Sequence, residues 1–399
     1  MVTNLLDGLR VLDLTRFVAG SQATMLLAAM GADVMKIEVP PGDPYRWQGT
    51  GQVNGESALF MALNSGKRSV AIDFRQPAGR EALDRVLASA DMLVENSRPG
   101  SLARWGLDWD SVHARYPWLV YGSISGYGDV GPEAAKGGFD LILQAESGIM
   151  SVTGTAESGP VKVGIPVLDV GAGLSCALGL LGAWIERQRT GVGRRVSSSL
   201  LEFALSSLGT IAAGAMVSGQ MPGLLGTHSP TFAPYGGFRT ADGWLVMAGA
   251  GSQELWARAC RVLGRGDLIA DDRFADNAGR VAHRDELTAE IEAVLGTRPS
   301  AHWLAALQEA GVPAAQVQDL SQVLARPQVE ALGSVQELDH PVAGAYRLIG
   351  PPLRIDQAPL PYPMPAPVLG ADTRAVLFEA GFGASEIDSL VRQGIAVES

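Results

Sequence analysis

Short apolar runs alternate with helix-patterned stretches along the first half of this chain, and that alternation constrains its fold more than any other feature. Residues 9 to 14 read as a strand, Gln22 to Met30 as an apolar helix and Asp33 to Val39 as a second strand. The unit recurs as Ser69 to Phe74, Pro77 to Ala90 and Asp91 to Glu95, with Pro77 in the first helical turn. Trp118 to Ser125 adds a strand and Asp140 to Met150 a helix. Strands joined through a helix in this way run parallel, so the expectation up to about residue 215 is an α/β, doubly wound domain of the nucleotide-binding type.

The texture changes after Gly219. Met221 to Gly237 is rich in Gly, Pro, Ser and Thr and reads as a long loop, either a linker or an active-site cover. Phe238 to Met247 reads as a hairpin turning at Asp242-Gly243, and helices are expected near 252–264, 284–296 and 300–311. Beyond Leu332 short strands return. Pro359, Pro361, Pro363, Pro365 and Pro367 impose an extended strap before helices at 372–381 and 384–393. At 399 residues the chain exceeds the usual size of a single core, so two domains are expected, the second a small α+β one.

With 42 acidic against 31 basic side chains the formal charge is −11, which argues against non-specific binding to nucleic acid or to an anionic membrane. A phosphate site must then be a local basic cluster. The N-terminal residues lack a basic stretch followed by an apolar one, so a cytoplasmic location is expected. The long apolar stretch Val167 to Ile185 is broken by Asp169 and glycines and reads as a buried helix. Two cysteines, Cys176 and Cys260, and five scattered histidines suggest neither a disulfide framework nor a metal site.

Gly126 to Gly131 matches G-x-G-x-x-G, but no apolar helix opens behind it to present its N-terminus to a pyrophosphate, so these glycines read as loop residues. Asn64 to Ser69 superficially resembles a phosphate loop, with Met61 where the first glycine belongs. Arg75 and Arg98 follow strands, and Arg104 and Lys136 lie in loops. In a parallel sheet such positions converge on the ligand edge, so the four can gather around phosphates; each taken alone reads first as a solvated surface charge. Asp169 falls between an apolar run, Lys162 to Leu168, and the helix from Gly171 to Ile185. With an ordinary carboxylate pKa of about 3.9 it is ionised at neutral pH and can attack without a base. Aspartate is also a preferred helix cap, and local sequence leaves both readings standing.

Six stretches in order resemble the class III CoA-transferases, the family of formyl-CoA transferase and α-methylacyl-CoA racemase. They are Gly8 to Thr15, Gly31 to Glu38, Asn64 to Ser69, Ala90 to Asn96, Arg98 to Gly100 and Tyr121 to Gly128. The resemblance implies a Rossmann-like, doubly wound large domain plus a small α+β domain, in an interlocked, ring-like homodimer. It divides the chain into 1–215 (CoA-binding, with the catalytic Asp), a linker at 216–232, a small domain at 233–325 and a return segment at 326–399. It implies Asp169 as the catalytic nucleophile. It places CoA against Val18 and Ala19, Ile72, Asp73, Phe74 and Arg75, Asn96, Ser97 and Arg98, Arg104, and Lys136, Gly137, Gly138 and Phe139.

Val39 departs from the basic residue of formyl-CoA transferase, and Gly223 to Pro234 stands where that enzyme's glycine-rich cover is not recognisable. The implied activity moves CoA from a thioester such as succinyl-CoA to a small acid, a dicarboxylate being favoured. His228 and Arg239 are candidates to meet a second carboxylate. CoA is then a substrate, and no tightly bound cofactor is expected. The alternatives are a racemase, which needs a histidine where Phe139 stands before Asp140, and a non-catalytic CoA-binding dimer.

Overall fold

The computed structural model describes residues 4–399 and divides them into two compact units. The larger comprises the chain up to Ser147, Val163–Gly209 and Pro327–Ser399; the smaller comprises Gly148–Lys162 and Thr210–Arg326. The stretch Gly148–Lys162, expected inside the large domain, therefore belongs to the other unit. The helix expected from Asp140 to Met150 stops at Glu146. Gly148 follows with a φ of +94°, a left-handed conformation that a glycine adopts without steric cost.

The larger unit is built on a mixed seven-stranded sheet. Six parallel strands run in the spatial order Arg195–Ser199, Val120–Ser125, Met92–Glu95, Arg10–Asp13, Asp33–Glu38, Arg68–Ile72. Numbered along the chain that order is 6-5-4-1-2-3, the doubly wound arrangement, whose switch point lies between the first and fourth strands. Val11, Leu12, Met35, Val70, Leu93 and Val94 are all inaccessible to solvent. Strands covered on both faces read as continuous apolar runs, which is why they are legible. Arg195–Ser199, by contrast, is an unforeseen edge strand of a single Val among polar residues.

The distal part of the chain completes this unit. Ala396–Val397 pairs antiparallel with Ala71 and Ile72, and Val376, Leu377, Ile387 and Leu390 from the last two helices join the core under the sheet. The proline strap lies on the same unit: Gly66 N donates to the Met364 carbonyl at 2.9 Å, and Gln336 brackets Leu360 and Tyr362.

In the smaller unit the strands Tyr235–Thr240 and Gly243–Ala248 form the expected hairpin, with Ala314–Gln316 as a third antiparallel strand. Thr240 pairs with Gly243, so the two-residue loop is Ala241-Asp242. Helices Gln253–Val262, Arg284–Leu295 and Ser300–Glu309 close on a core that includes Phe238, Leu245, Trp256, Ile291 and Trp303.

Candidate active site

At the switch point of the sheet the segments after the first and fourth strands, Leu14–Ala19 and Asn96–Leu102, separate and leave two clefts in the larger unit. Arg16 and Ser97 border both. The smaller cleft, about 400 Å³, is lined by Phe74, Arg75, Arg104, Trp105 and Trp47, among others. The larger, about 670 Å³, runs past Phe17, Val18, Ala19, Asn96, Arg98 and Lys136–Phe139 to Asp169.

The floor of these clefts is fixed by buried charge. Asp13, at the end of the first strand, accepts Thr15 N and Oγ1 at 2.8 and 2.6 Å, and Lys67 Nζ at 2.9 Å. Lys36 Nζ donates to the Thr15 carbonyl at 2.8 Å and lies 3.0 Å from Asp43. Arg46 grips Glu38 with two nitrogens, at 2.8 and 2.6 Å. Burial by itself would raise the Asp13 carboxyl, but Lys67 and Lys36 hold it below its ordinary value. Burial pulls the Lys67 ammonium down to about 8 even against Asp13. The stretch that resembles a phosphate loop is thus a buried strut.

The cleft walls are pinned from the same base. The Asn96 side chain accepts Arg16 N at 2.8 Å and donates to the Arg16 carbonyl at 2.6 Å. The next residue, Phe17, is held at a φ of +62°, unusual for so bulky a side chain, with its ring edge-on to Tyr45 at 5.4 Å. Glu95 accepts Ser97 N at 2.7 Å, and burial pushes its carboxyl up to about 7. Gly126 and Gly138 meet back to back: a Cβ on either would lie 2.8 Å from the other's Cα. This contact is the use that the fold makes of the first glycine of the G-x-G-x-x-G match.

Asp169 is the third residue of the helix Val167–Thr190. No strand precedes it, because Val163–Pro166 is irregular chain, so the expected strand-to-helix junction is a loop-to-helix one. Two glycines let the helix start sit close to its neighbours. A Cβ at Gly171 would lie 2.0 Å from the Phe203 ring, and one at Gly173 would lie 2.4 Å from the Ala19 carbonyl oxygen. Gly171 to Gly173 lie inside the helix, and not at its open end. The cap is not Asp169 either: Asp140 Oδ1 accepts Leu168 N at 2.8 Å and Asp169 N at 3.4 Å.

Among the described residues the Asp169 carboxylate has no hydrogen bond or ion pair. Burial, then the neighbouring Asp140, push it up to about 7. The expectation of full ionisation at neutral pH is therefore corrected to a carboxyl that holds its proton to much higher pH than an ordinary aspartate.

The basic residues divide between the clefts. Arg75 and Arg104 border the smaller, Arg98 and Lys136 the larger. Arg75 pairs with Asp73 at 2.7 Å and Lys136 pairs with Glu133. Arg98, Arg104 and Arg16, the last missed from sequence, have no carboxylate partner among the described residues. Ile72 and Asp73 stand apart from both cleft linings; Ile72 is in the core. Sequence reasoning also missed Tyr45, Trp47 and Gln48. The breaker-rich run Pro40-Pro41-Gly42-Asp43-Pro44 after the second strand is the signal that marks them. His228 packs edge-on against Phe238 at 5.4 Å, and Arg239 lies over the Trp244 ring at 5.2 Å, both within the smaller unit.

Comparison with known proteins gives these elements a context. The family profile described as CoA-transferase family III matches residues 6–373. A mouse (Mus musculus) succinyl-CoA:glutarate CoA-transferase is 34% identical over 392 residues, covering 98% of this chain and 90% of its own. A succinyl-CoA:mesaconate CoA-transferase of Haloarcula hispanica is 35% identical, covering 95% of this chain and 97% of its own. The crystal structure of a CAIB/BAIF family protein from Brucella suis superposes with a TM-score of 0.82 at 35% identity, covering 94% of this chain and 99% of that one.

Proposed function

Because the chain belongs to CoA-transferase family III, and is an enzyme of that class, we propose that Asp169 is the residue that carries the acyl group during transfer. The observation that carries this reading is a carboxylate at a helix start, without a partner among the described residues, bordering a cleft of about 670 Å³. The nucleotide end of CoA occupies the smaller cleft, its phosphates against Arg104 and Arg75 and its adenine among Phe74, Trp105 and Trp47. The pantetheine arm passes Arg16 and Ser97 into the larger cleft and brings the thioester to Asp169.

An Asp169 oxygen attacks the thioester carbonyl; the C–S bond breaks, giving a mixed anhydride and CoA thiolate. The thiolate attacks the aspartyl carbonyl and expels the donor acid as a carboxylate, leaving an aspartyl-CoA thioester. The acceptor carboxylate attacks that thioester to form a second anhydride and release the thiolate again. The thiolate then takes the acceptor's acyl carbon and frees Asp169. Water would hydrolyse each intermediate, so the cleft must be closed during turnover.

The donor is succinyl-CoA and the acceptor a small dicarboxylic acid, as the names of the mouse and Haloarcula relatives suggest. The enzyme works as a homodimer. Leu174, Leu178 and Ile185, spaced along one side of the Asp169 helix, and Leu205 on the next helix are exposed, Leu178 at 74%, and an apolar stripe of this kind calls for a partner surface.

Asp169→Ala is expected to lower CoA transfer from succinyl-CoA by at least about 10³-fold while leaving CoA binding within a few-fold. Mass spectrometry of the wild type with succinyl-CoA should find a covalent adduct on the peptide containing Asp169. Full transfer activity in the variant would overturn the assignment. A panel of acids assayed with succinyl-CoA reads the acceptor, and a monocarboxylate preferred over every dicarboxylate would overturn that part.

A further inference from the structure

The geometry points to Asp140 as a positioning residue for the transfer reaction: its carboxylate closes the open end of the helix that carries the nucleophile and sets one like charge beside it. This rests on the reading of Asp169 as the acyl carrier. Asp140 opens the short helix Asp140–Glu146, where it and Gln144 stand one turn apart. Gln144, fully buried, accepts Val163 N at 2.8 Å and donates to Asp140 Oδ2. Asp140 Oδ1 accepts Leu168 N at 2.8 Å and Asp169 N at 3.4 Å. The pair therefore grips both ends of the irregular segment that leads into the nucleophile. Pro166, at the N-cap, has no side-chain oxygen with which to do the same work.

The choice of a charged group here has a chemical consequence. A glutamine or serine would satisfy the same N–H groups without cost to a neighbouring carboxylate. Asp140 repels Asp169 in the resting enzyme, and that repulsion ends each time Asp169 is acylated, because the ester-like oxygen carries no charge. The capping residue thus favours the acyl-enzyme over the free carboxylate.

Several other titratable groups near the helix start are neutral or held elsewhere. Tyr45 faces Asp169 as a neutral phenol, raised by burial and then by Asp169 itself. Glu202 on the following helix is held by Ser199 Oγ, Glu146 by Tyr127 Oη, and Arg187 further along the Asp169 helix by Asp91. The helix Ala19–Ala29 packed against it has no charged side chain. Arg16, Arg98 and Lys136 line the same cleft, and none pairs with either carboxylate.

The test uses the full chain and succinyl-CoA, with the Asp140→Asn, Asp140→Ala and Asp169→Ala variants read side by side. Asp140→Asn keeps an acceptor oxygen and removes the charge, so the acid limb of the pH profile of acyl-enzyme formation should move down by roughly one unit. Asp140→Ala also removes the acceptor, and kcat should fall about 10- to 100-fold with KM for succinyl-CoA little changed. A purely structural role would lower folded yield and leave the pH profile of the folded fraction in place. An unshifted limb in Asp140→Asn, or wild-type kcat in Asp140→Ala, overturns the inference. Activity retained in Asp169→Ala overturns the underlying reading instead, so the two failures are distinct.

Discussion

Two groups of charge in the larger unit, one fully buried and one half-buried, are treated in opposite ways. Beneath the first strand three carboxylates, Asp13, Glu38 and Asp43, face three cations, Lys67, Arg46 and Lys36, at 2.6 to 3.0 Å. At the start of the Asp169 helix two carboxylates stand together and, among the described residues, neither forms an ion pair. In the first group each charge lost to solvent is returned by a partner, and the result is a rigid base for the cleft. In the second the missing partner leaves the cost of burial uncompensated, which is the condition for a reactive carboxylate. The half-buried Asp169 is raised while the fully buried Asp13 is lowered, so it is the sign of the neighbours that separates the structural aspartate from the chemical one.

The comparison can be broken most severely on the paired side. Lys67→Met removes the cation from beside Asp13 and leaves a fully buried carboxylate with only neutral donors and Lys36 nearby. We expect a loss of about 3–5 kcal/mol in urea unfolding at pH 7. A loss below about 1 kcal/mol would mean that this group is not the strut described above.

On the unpaired side the sign reverses. Asp169 has an ordinary value of 3.8 and a folded value of about 7, so the folded state holds a proton that the unfolded chain has given up between those limits. Its penalty is absent below about pH 4, grows as pH rises and is complete above 7. Asp169→Asn should therefore be more stable than the wild type at pH 8, by no more than about 4 kcal/mol, with the gap closing as pH falls to 4. A constant difference across that range would contradict it. The smallest effect sharpens the contrast: Arg374 pairs with Asp388 at 2.6 Å on the surface, where solvent screens both, and Arg374→Ala should leave the urea midpoint of unfolding indistinguishable from the wild type.

The same physics decides what the sequence discloses. The strands around Val11, Met35, Val70 and Val94 are legible because both faces of the sheet are covered, so most residues in the middle of each are apolar. The edge strand Arg195–Ser199 is not: it pairs on one side only, with Val120–Ser125, and its side chains alternate exposed and half-buried up to the buried Ser199. Asp169 stood out by its place before a glycine-rich helix. Its free carboxylate is not legible in the sequence, because the residue that does the capping, Asp140, lies 29 positions away. Lys67 shows the converse error in pattern reading. Next to a glycine it has the look of a phosphate ligand, and only the parallel alignment of the first three strands reveals Asp13 as its partner.

The pairing of Ala396–Val397 with Ile72 also bears on how the molecule is made. A ribosome delivers the early strands long before the segment that seals their edge. The smaller unit meanwhile has every residue of its principal core between Ala233 and Val312 and can pack as soon as that stretch emerges. The core of the smaller unit is thus complete in the emerging chain while one margin of the larger unit's sheet still lacks the strand that covers it.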